Sequence, residues 1–90
     1  MVRWHIFFSG RVQHVGFRWI SARFARELYL TGWVQNIRDG MVEMEVQGSV
    51  SSIRQLIVRL KAQPHIIIDD ISVEEVPVVL SERVFSVKGY

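Results

Sequence analysis

Asp39-Gly40 lies between two apolar-rich runs, Trp33 to Arg38 and Met41 to Gln47, and no other dipeptide constrains the fold of this chain as much. Asp followed by Gly supplies two residues that tolerate positive φ, which is what a tight hairpin turn demands. The two runs are therefore expected to pair antiparallel. In the second run Val42, Met44 and Val46 alternate with Glu43, Glu45 and Gln47, so one face is expected in the core and the other in water.

The remaining elements follow from the change of period on either side of this hairpin. Arg3 to Phe8, rich in aromatic residues, reads as a first strand. From Phe17 onward, Ile20, Phe24 and Leu28 recur at helical spacing with Arg23, Arg26 and Glu27 turned away, and Gly32 is expected to end that helix. Ser49 or Ser51 can cap a second helix carrying Ile53, Leu56, Ile57 and Leu60, with Arg59 and Lys61 suiting its C-terminal dipole. Pro64 stops it. His65 to Ile68 reads as an apolar connector, followed by strands at about Ile71 to Val76 and Arg83 to Val87. The order β-α-β-β-α-β plus a short terminal strand implies an α+β fold. Two helices are expected on one face of a mainly antiparallel sheet, the ferredoxin-like α/β sandwich.

With 90 residues the chain is expected to form one domain over 1–90. Its 49% hydrophobic and 22% charged residues match a soluble globular protein, and no apolar run approaches the roughly 20 residues of a membrane span. Met1-Val2-Arg3-Trp4-His5 shows no signal-peptide architecture, so a cytoplasmic monomer without membrane association is expected. The absence of cysteine excludes disulfides and a thiol nucleophile. A net charge of +2 favours anionic ligands slightly and is no nucleic-acid footprint.

The stretch Gly10-Arg11-Val12-Gln13-His14-Val15-Gly16-Phe17-Arg18 connects the first strand to the first helix. Positions 14 to 16 hold none of the Ser, Thr, Asp or Asn residues that normally satisfy the free N–H groups of a first helical turn. Those donors can converge on an anion, and Arg18 sits where the helix dipole disfavours a cation unless an anion lies between them. The loop thus reads as a phosphate cradle formed by the backbone of Gln13, His14, Val15, Gly16, Phe17 and Arg18. Taken alone, Arg18 reads better as a surface arginine, and Asn36 as an amide bracing the Asp39-Gly40 turn.

Gly10-Arg11-Val12-Gln13-x-Val15-Gly16-Phe17-Arg18, followed by Gly32-Trp33-Val34-Gln35-Asn36 and Asp39-Gly40, resembles the paired signature of the acylphosphatases. Two blocks in the right order in so small a chain are far more specific than one glycine-rich loop. The resemblance implies a hydrolase that cleaves carboxyl-phosphate anhydrides without a metal or cofactor, with inorganic phosphate or sulfate as competing ligands. It assigns Arg18 to phosphate binding and Asn36 to orienting the attacking water. The substrate's own phosphate is implied as the proton acceptor. His14 departs from the family's usual glycine. Histidine tolerates positive φ better than most residues, so the loop is expected to keep its shape with the imidazole pointing to solvent.

Other candidates carry less. Gln13 is expected to brace the cradle through its side chain, and Trp33 to lie in the core. His5 and His65 have no ligand spacing with a carboxylate cluster. Adjacent Asp69 and Asp70 are expected in a solvated turn. Two rival readings are an RNA-binding sheet and a domain without turnover of its own, as when such domains are fused to carbamoyl-transfer enzymes. The first is disfavoured by Glu43 and Glu45 on the strand face that would meet phosphates. The second is disfavoured by a chain ending at residue 90, which is expected of a free-standing enzyme.

Overall fold

Val42, Met44 and Val46 are fully buried and Glu43 and Glu45 project from the opposite face, as their alternation requires. The structure, a computed structural model, describes residues 1–89. Its elements in chain order are β1 (Val2–Arg11), α1 (Phe17–Glu27), β2 (Thr31–Asn36), β3 (Val42–Gly48), α2 (Val50–Lys61), β4 (Ile67–Val76) and β5 (Phe85–Val87). The sheet order is β4-β1-β3-β2-β5. All neighbours are antiparallel except β2 and β5, which run parallel, so the sheet is mixed at one edge. This is the ferredoxin-like arrangement with an added edge strand.

The hairpin forms where Asp39-Gly40 places it. Asp39 and Gly40 take φ of 65° and 77°, and the Ile37 N–H donates to the Met41 carbonyl at 3.0 Å. Gly32, expected to end α1, instead lies inside β2 at φ 139°, where a Cβ would collide with the Glu45 carbonyl oxygen. The helix is ended by Tyr29, which takes the left-handed conformation at φ 58°. Asp69 and Asp70 are in β4, not in a turn. They meet β1 at a bulge, where Ser9 pairs with Asp70 and Gly10 with Ile68, so Asp69 is the extra residue. Of the apolar connector, Ile67 and Ile68 form the start of β4, and β1 extends three residues beyond Phe8 to reach them.

Both helices pack on one face of the sheet. α1 places Phe17, Ser21, Ala22 and Ala25 innermost, while Ile20, Phe24 and Leu28 flank that line. The two alanines let the helix approach the strands closely. α2 begins at Ser49, whose Oγ accepts from the Ser52 N–H at 3.0 Å, and buries Ile53, Leu56 and Leu60. Each of those three contributes about 1.5–3 kcal/mol by leaving water. They meet Ile6, Phe8, Val34, Met44 and Phe85 in one core.

The other face of the sheet is polar but not bare. β4 and β5 lie at opposite edges, so the segment joining them must cross the sheet, and it does so over this face. Arg3, buried among the strands, donates from Nε to Glu45 at 2.6 Å and from both terminal nitrogens to Glu82 at 2.7 and 3.2 Å. Gln47 exchanges two hydrogen bonds with the backbone of Val79, at 3.1 and 2.7 Å. Gln47, expected in water, is therefore buried beneath the crossing segment. Trp33 likewise leaves the core: Gly32 and Val34 are buried, so the residue between them projects to the polar face, half-buried.

Burial alone would raise the Glu82 carboxyl pKa, but hydrogen bonding and charge from Arg3 outweigh it and hold the group below its ordinary value of 4.5. A depressed carboxyl contributes stability above its unfolded value and loses it as the pH falls through the folded one. Arg3→Met should cost about 2–3 kcal/mol near pH 7, since it leaves two partly buried carboxylates unpaired. Urea titrations of both proteins should show that difference narrowing below about pH 4, where protonation removes the pairing from the parent as well.

Candidate active site

The loop between β1 and α1 is anchored from below by Val12 and Phe17, both buried, with the Phe17 ring 5.0 Å from that of Phe8. Between these anchors His14 takes φ 63° and Gly16 φ 80°. Alternating left-handed residues turn successive N–H groups toward one side of the chain, the geometry of an anion-binding concavity. Gly16 holds the N-cap position of α1 without a side-chain cap, and the first turn contains no acidic residue. The donors at this helix end are thus met by no side chain of their own turn, as the sequence leads one to expect.

The Gln13 side chain turns to the β2–β3 turn and not into the concavity. Its Nε2 donates at 2.8 Å to the carbonyls of Ile37 and Met41, one on each side of the β2–β3 turn. This single amide ties the loop to the turn that follows Asn36. Val15 is half-buried and packs against the core, so it offers backbone only.

A cavity of about 140 Å³ lies inside the loop, lined by Val12, His14, Gly16, Phe17, Arg18, Trp19 and Asn36. A second, of about 310 Å³, shares His14, Arg18 and Asn36 with the first and extends toward Gln35, Lys88 and Gly89. Arg18 is half-buried, and one of its terminal nitrogens donates to the Lys88 carbonyl at 3.1 Å. Asn36 ends β2 with its Oδ1 buried and, among the described residues, without a hydrogen-bond partner. Ser21 Oγ and Thr31 Oγ1 are likewise buried without a partner among the described residues, so what sets Asn36 apart is its place on the wall of both cavities. His14 is exposed, as expected, yet it stands on the rim of both cavities.

Sequence reasoning missed Trp19, Gln35 and Lys88. Trp19 left a signal, a large aromatic beside Arg18 in the first helical turn, and it is 65% exposed. Lys88 left none, because only the parallel pairing of β5 with β2 brings it here. Size does not mark the site: a groove of about 540 Å³ on the outer side of α2 is larger, but it is lined by side chains of that helix alone, Ser51 to Arg59. Among the described residues no three His, Asp or Glu side chains gather as a metal site, and no helix is long and apolar enough to cross a membrane.

The acylphosphatase family model matches residues 4–87. An acylphosphatase of Bifidobacterium longum is 39% identical, covering 98% of this chain and 93% of that protein. One from Clostridium beijerinckii is 37% identical over 98% and 99% of the two chains. The crystal structure of acylphosphatase from Bacillus subtilis superposes with a TM-score of 0.89 at 33% identity, covering 99% of this chain and all of the other. HypF from T. kodakarensis contains a similar unit, with a TM-score of 0.84 at 36% identity over 12% of its length. Sequence and fold agree, and the chain belongs to the acylphosphatase family of acyl-phosphate hydrolases.

Proposed function

We propose that this chain, acting as a single cytoplasmic domain and a monomer, hydrolyses acyl phosphates at the cavity shared by the loop, Arg18 and Asn36. The observation that carries the residue assignment is the meeting of three features at one place: an uncapped helix start, a guanidinium and a buried amide oxygen without a partner. The backbone N–H groups of Gln13 to Arg18 and the Arg18 fork hold the phosphoryl oxygens, where they stabilise the charge of a loose transition state. The Asn36 amide orients a water in line with phosphorus. The water oxygen bonds to phosphorus as the bond to the bridging oxygen breaks, and the electron pair leaves on the carboxylate. A carboxylate departs without protonation, so no general acid is required. The proton of the attacking water passes to a phosphoryl oxygen, and the products are a carboxylate and inorganic phosphate.

Benzoyl phosphate hydrolysis tests this reading. Arg18→Ala should lose at least about 10² in kcat/KM together with inhibition by phosphate, since each charge-assisted hydrogen bond it removes is worth about 1.5–3 kcal/mol. Asn36→Ala should lose about 10² in kcat while phosphate still inhibits, because a positioned group is gone and the cradle is not. Folded variants with parent-like turnover would return both residues to structural roles.

Activity should also survive exhaustive dialysis against a chelator, since the phosphoryl charge is met by the guanidinium and backbone donors. Restoration of a lost rate by Mg²⁺ or Zn²⁺ would contradict this.

Gln13→Met keeps the volume of the side chain and removes both donors to the turn. It should destabilise the fold by about 1–3 kcal/mol and lower kcat more than phosphate affinity, because Asn36 loses its tether to the loop. Denaturant titration and phosphate inhibition on the same preparation separate the two effects.

A further inference from the structure

The net charge of +2 conceals a division between the two layers of the fold. α1 and α2 together carry six cations, Arg18, Arg23, Arg26, Arg54, Arg59 and Lys61, against the single carboxylate of Glu27. Five cations and eight carboxylates remain for the strands and loops, so with histidine neutral the helix layer is net +5 and the rest net −3.

Burial fixes which way the helix side chains look. Ser21, Ala22 and Ala25 of α1 and Ile53, Leu56 and Leu60 of α2 are the buried sides, and both helices lie on one face of the sheet, so the opposite stripes form one outer surface. On α1 that stripe carries Trp19 and Arg23, and on α2 Arg54, Val58 and Lys61. All five are exposed, Trp19 and Val58 to 65% each. Arg59 links the helices, donating to Glu27 at 2.8 Å while its guanidinium lies 5.5 Å from the centre of the Phe24 ring. Arg23 approaches the same carboxylate at 3.5 Å, so the one anion of the layer is already shared by two cations. Among the described residues Arg54 and Lys61 form no salt bridge.

We propose that this outer helix face adsorbs reversibly to an anionic lipid surface. No helix among the described residues is long enough to span a membrane, and adsorption needs none. It needs cations over acidic head groups and apolar side chains at the interface, and the face supplies both. Trp19 and Val58 favour lipid over nucleic acid, since an indole and an aliphatic group gain from the boundary between head groups and acyl chains, whereas duplex phosphates offer Val58 nothing. On the far side of the sheet stand Glu43, Glu45 and Glu74, the last paired with His5 across the β1–β4 ladder. An anionic surface therefore attracts one layer, repels the other and orients the molecule between them.

Cosedimentation with vesicles tests the proposal. The parent should bind phosphatidylcholine vesicles containing about a quarter phosphatidylglycerol at least about tenfold more tightly than phosphatidylcholine alone, and should lose that preference at about 0.5 M salt. Arg54→Gln combined with Lys61→Gln should weaken binding to the acidic vesicles by about 25-fold, since each cation near such a surface contributes about a factor of five. Val58→Glu, which sets an anion in the middle of the stripe, should weaken it by at least about fivefold. Arg38→Gln combined with Arg83→Gln removes the same charge outside the helix layer and should bind as the parent does. Far-UV circular dichroism and thermal melting of each variant separate lost binding from lost fold. Absence of a preference for the acidic vesicles, or an equal loss in the two double variants, overturns the proposal. Tighter binding to a DNA duplex than to the vesicles at equal phosphate concentration also overturns it and would assign the face to nucleic acid.

Discussion

β3 carries an antiparallel partner on each side, and the active-site geometry depends on that. Val42 pairs with Phe8 of β1 on one side and with Asn36 of β2 on the other. Two strands antiparallel to a common neighbour are parallel to each other, so β1 and β2 finish at the same end of the sheet. The loop leaves one of them and Asn36 terminates the other. β5 runs parallel to β2 and finishes there too, bringing Lys88 and Gly89. Three functional segments meet because three chain directions agree.

What the sheet brings near, local conformation makes chemical. A left-handed φ at His14, a helix start without a cap and an Asn36 oxygen without a partner among the described residues are each unfavourable for folding. They are concentrated within one small cavity. The surrounding packing offsets them: Val12, Phe17 and Phe8 hold the loop from the core, and Gln13 spans to the turn with both donors satisfied. Phosphoryl transfer from a good leaving group asks mainly for positioned donors, so a rigid loop with unmet N–H groups is suited to the task.

The polar face shows a different division of labour. Arg3, Glu45, Gln47 and Glu82 secure the segment that crosses from β4 to β5, and that crossing is what places β5 beside β2. Ion pairing far from the cavity thus supports the strand that supplies Lys88. Glu43 sits between the two regions, joined to Gln35 and His5; burial opposes its ionisation, but these hydrogen bonds and nearby positive charge outweigh it and keep its carboxyl below the ordinary value.

Local signals in the sequence determined the hairpin, both helices, the missing cap and the loop that follows β1, because each depends on residues within one or two turns of chain. Asp39-Gly40, Ser49 and the Val42-Met44-Val46 alternation needed no partner to be read. The two signature blocks carried Arg18 and Asn36 as a resemblance. Tertiary structure alone decided that Gly32 serves close approach of β3 and not helix termination, that Asp69 is a bulge residue, and that Trp33 faces outward beneath Lys88. It alone decided that Gln47 is buried and that Lys88 reaches the site. These depend on which strand lies beside which. That choice is made by side chains distant in sequence packing into one core, and no window of consecutive residues contains it.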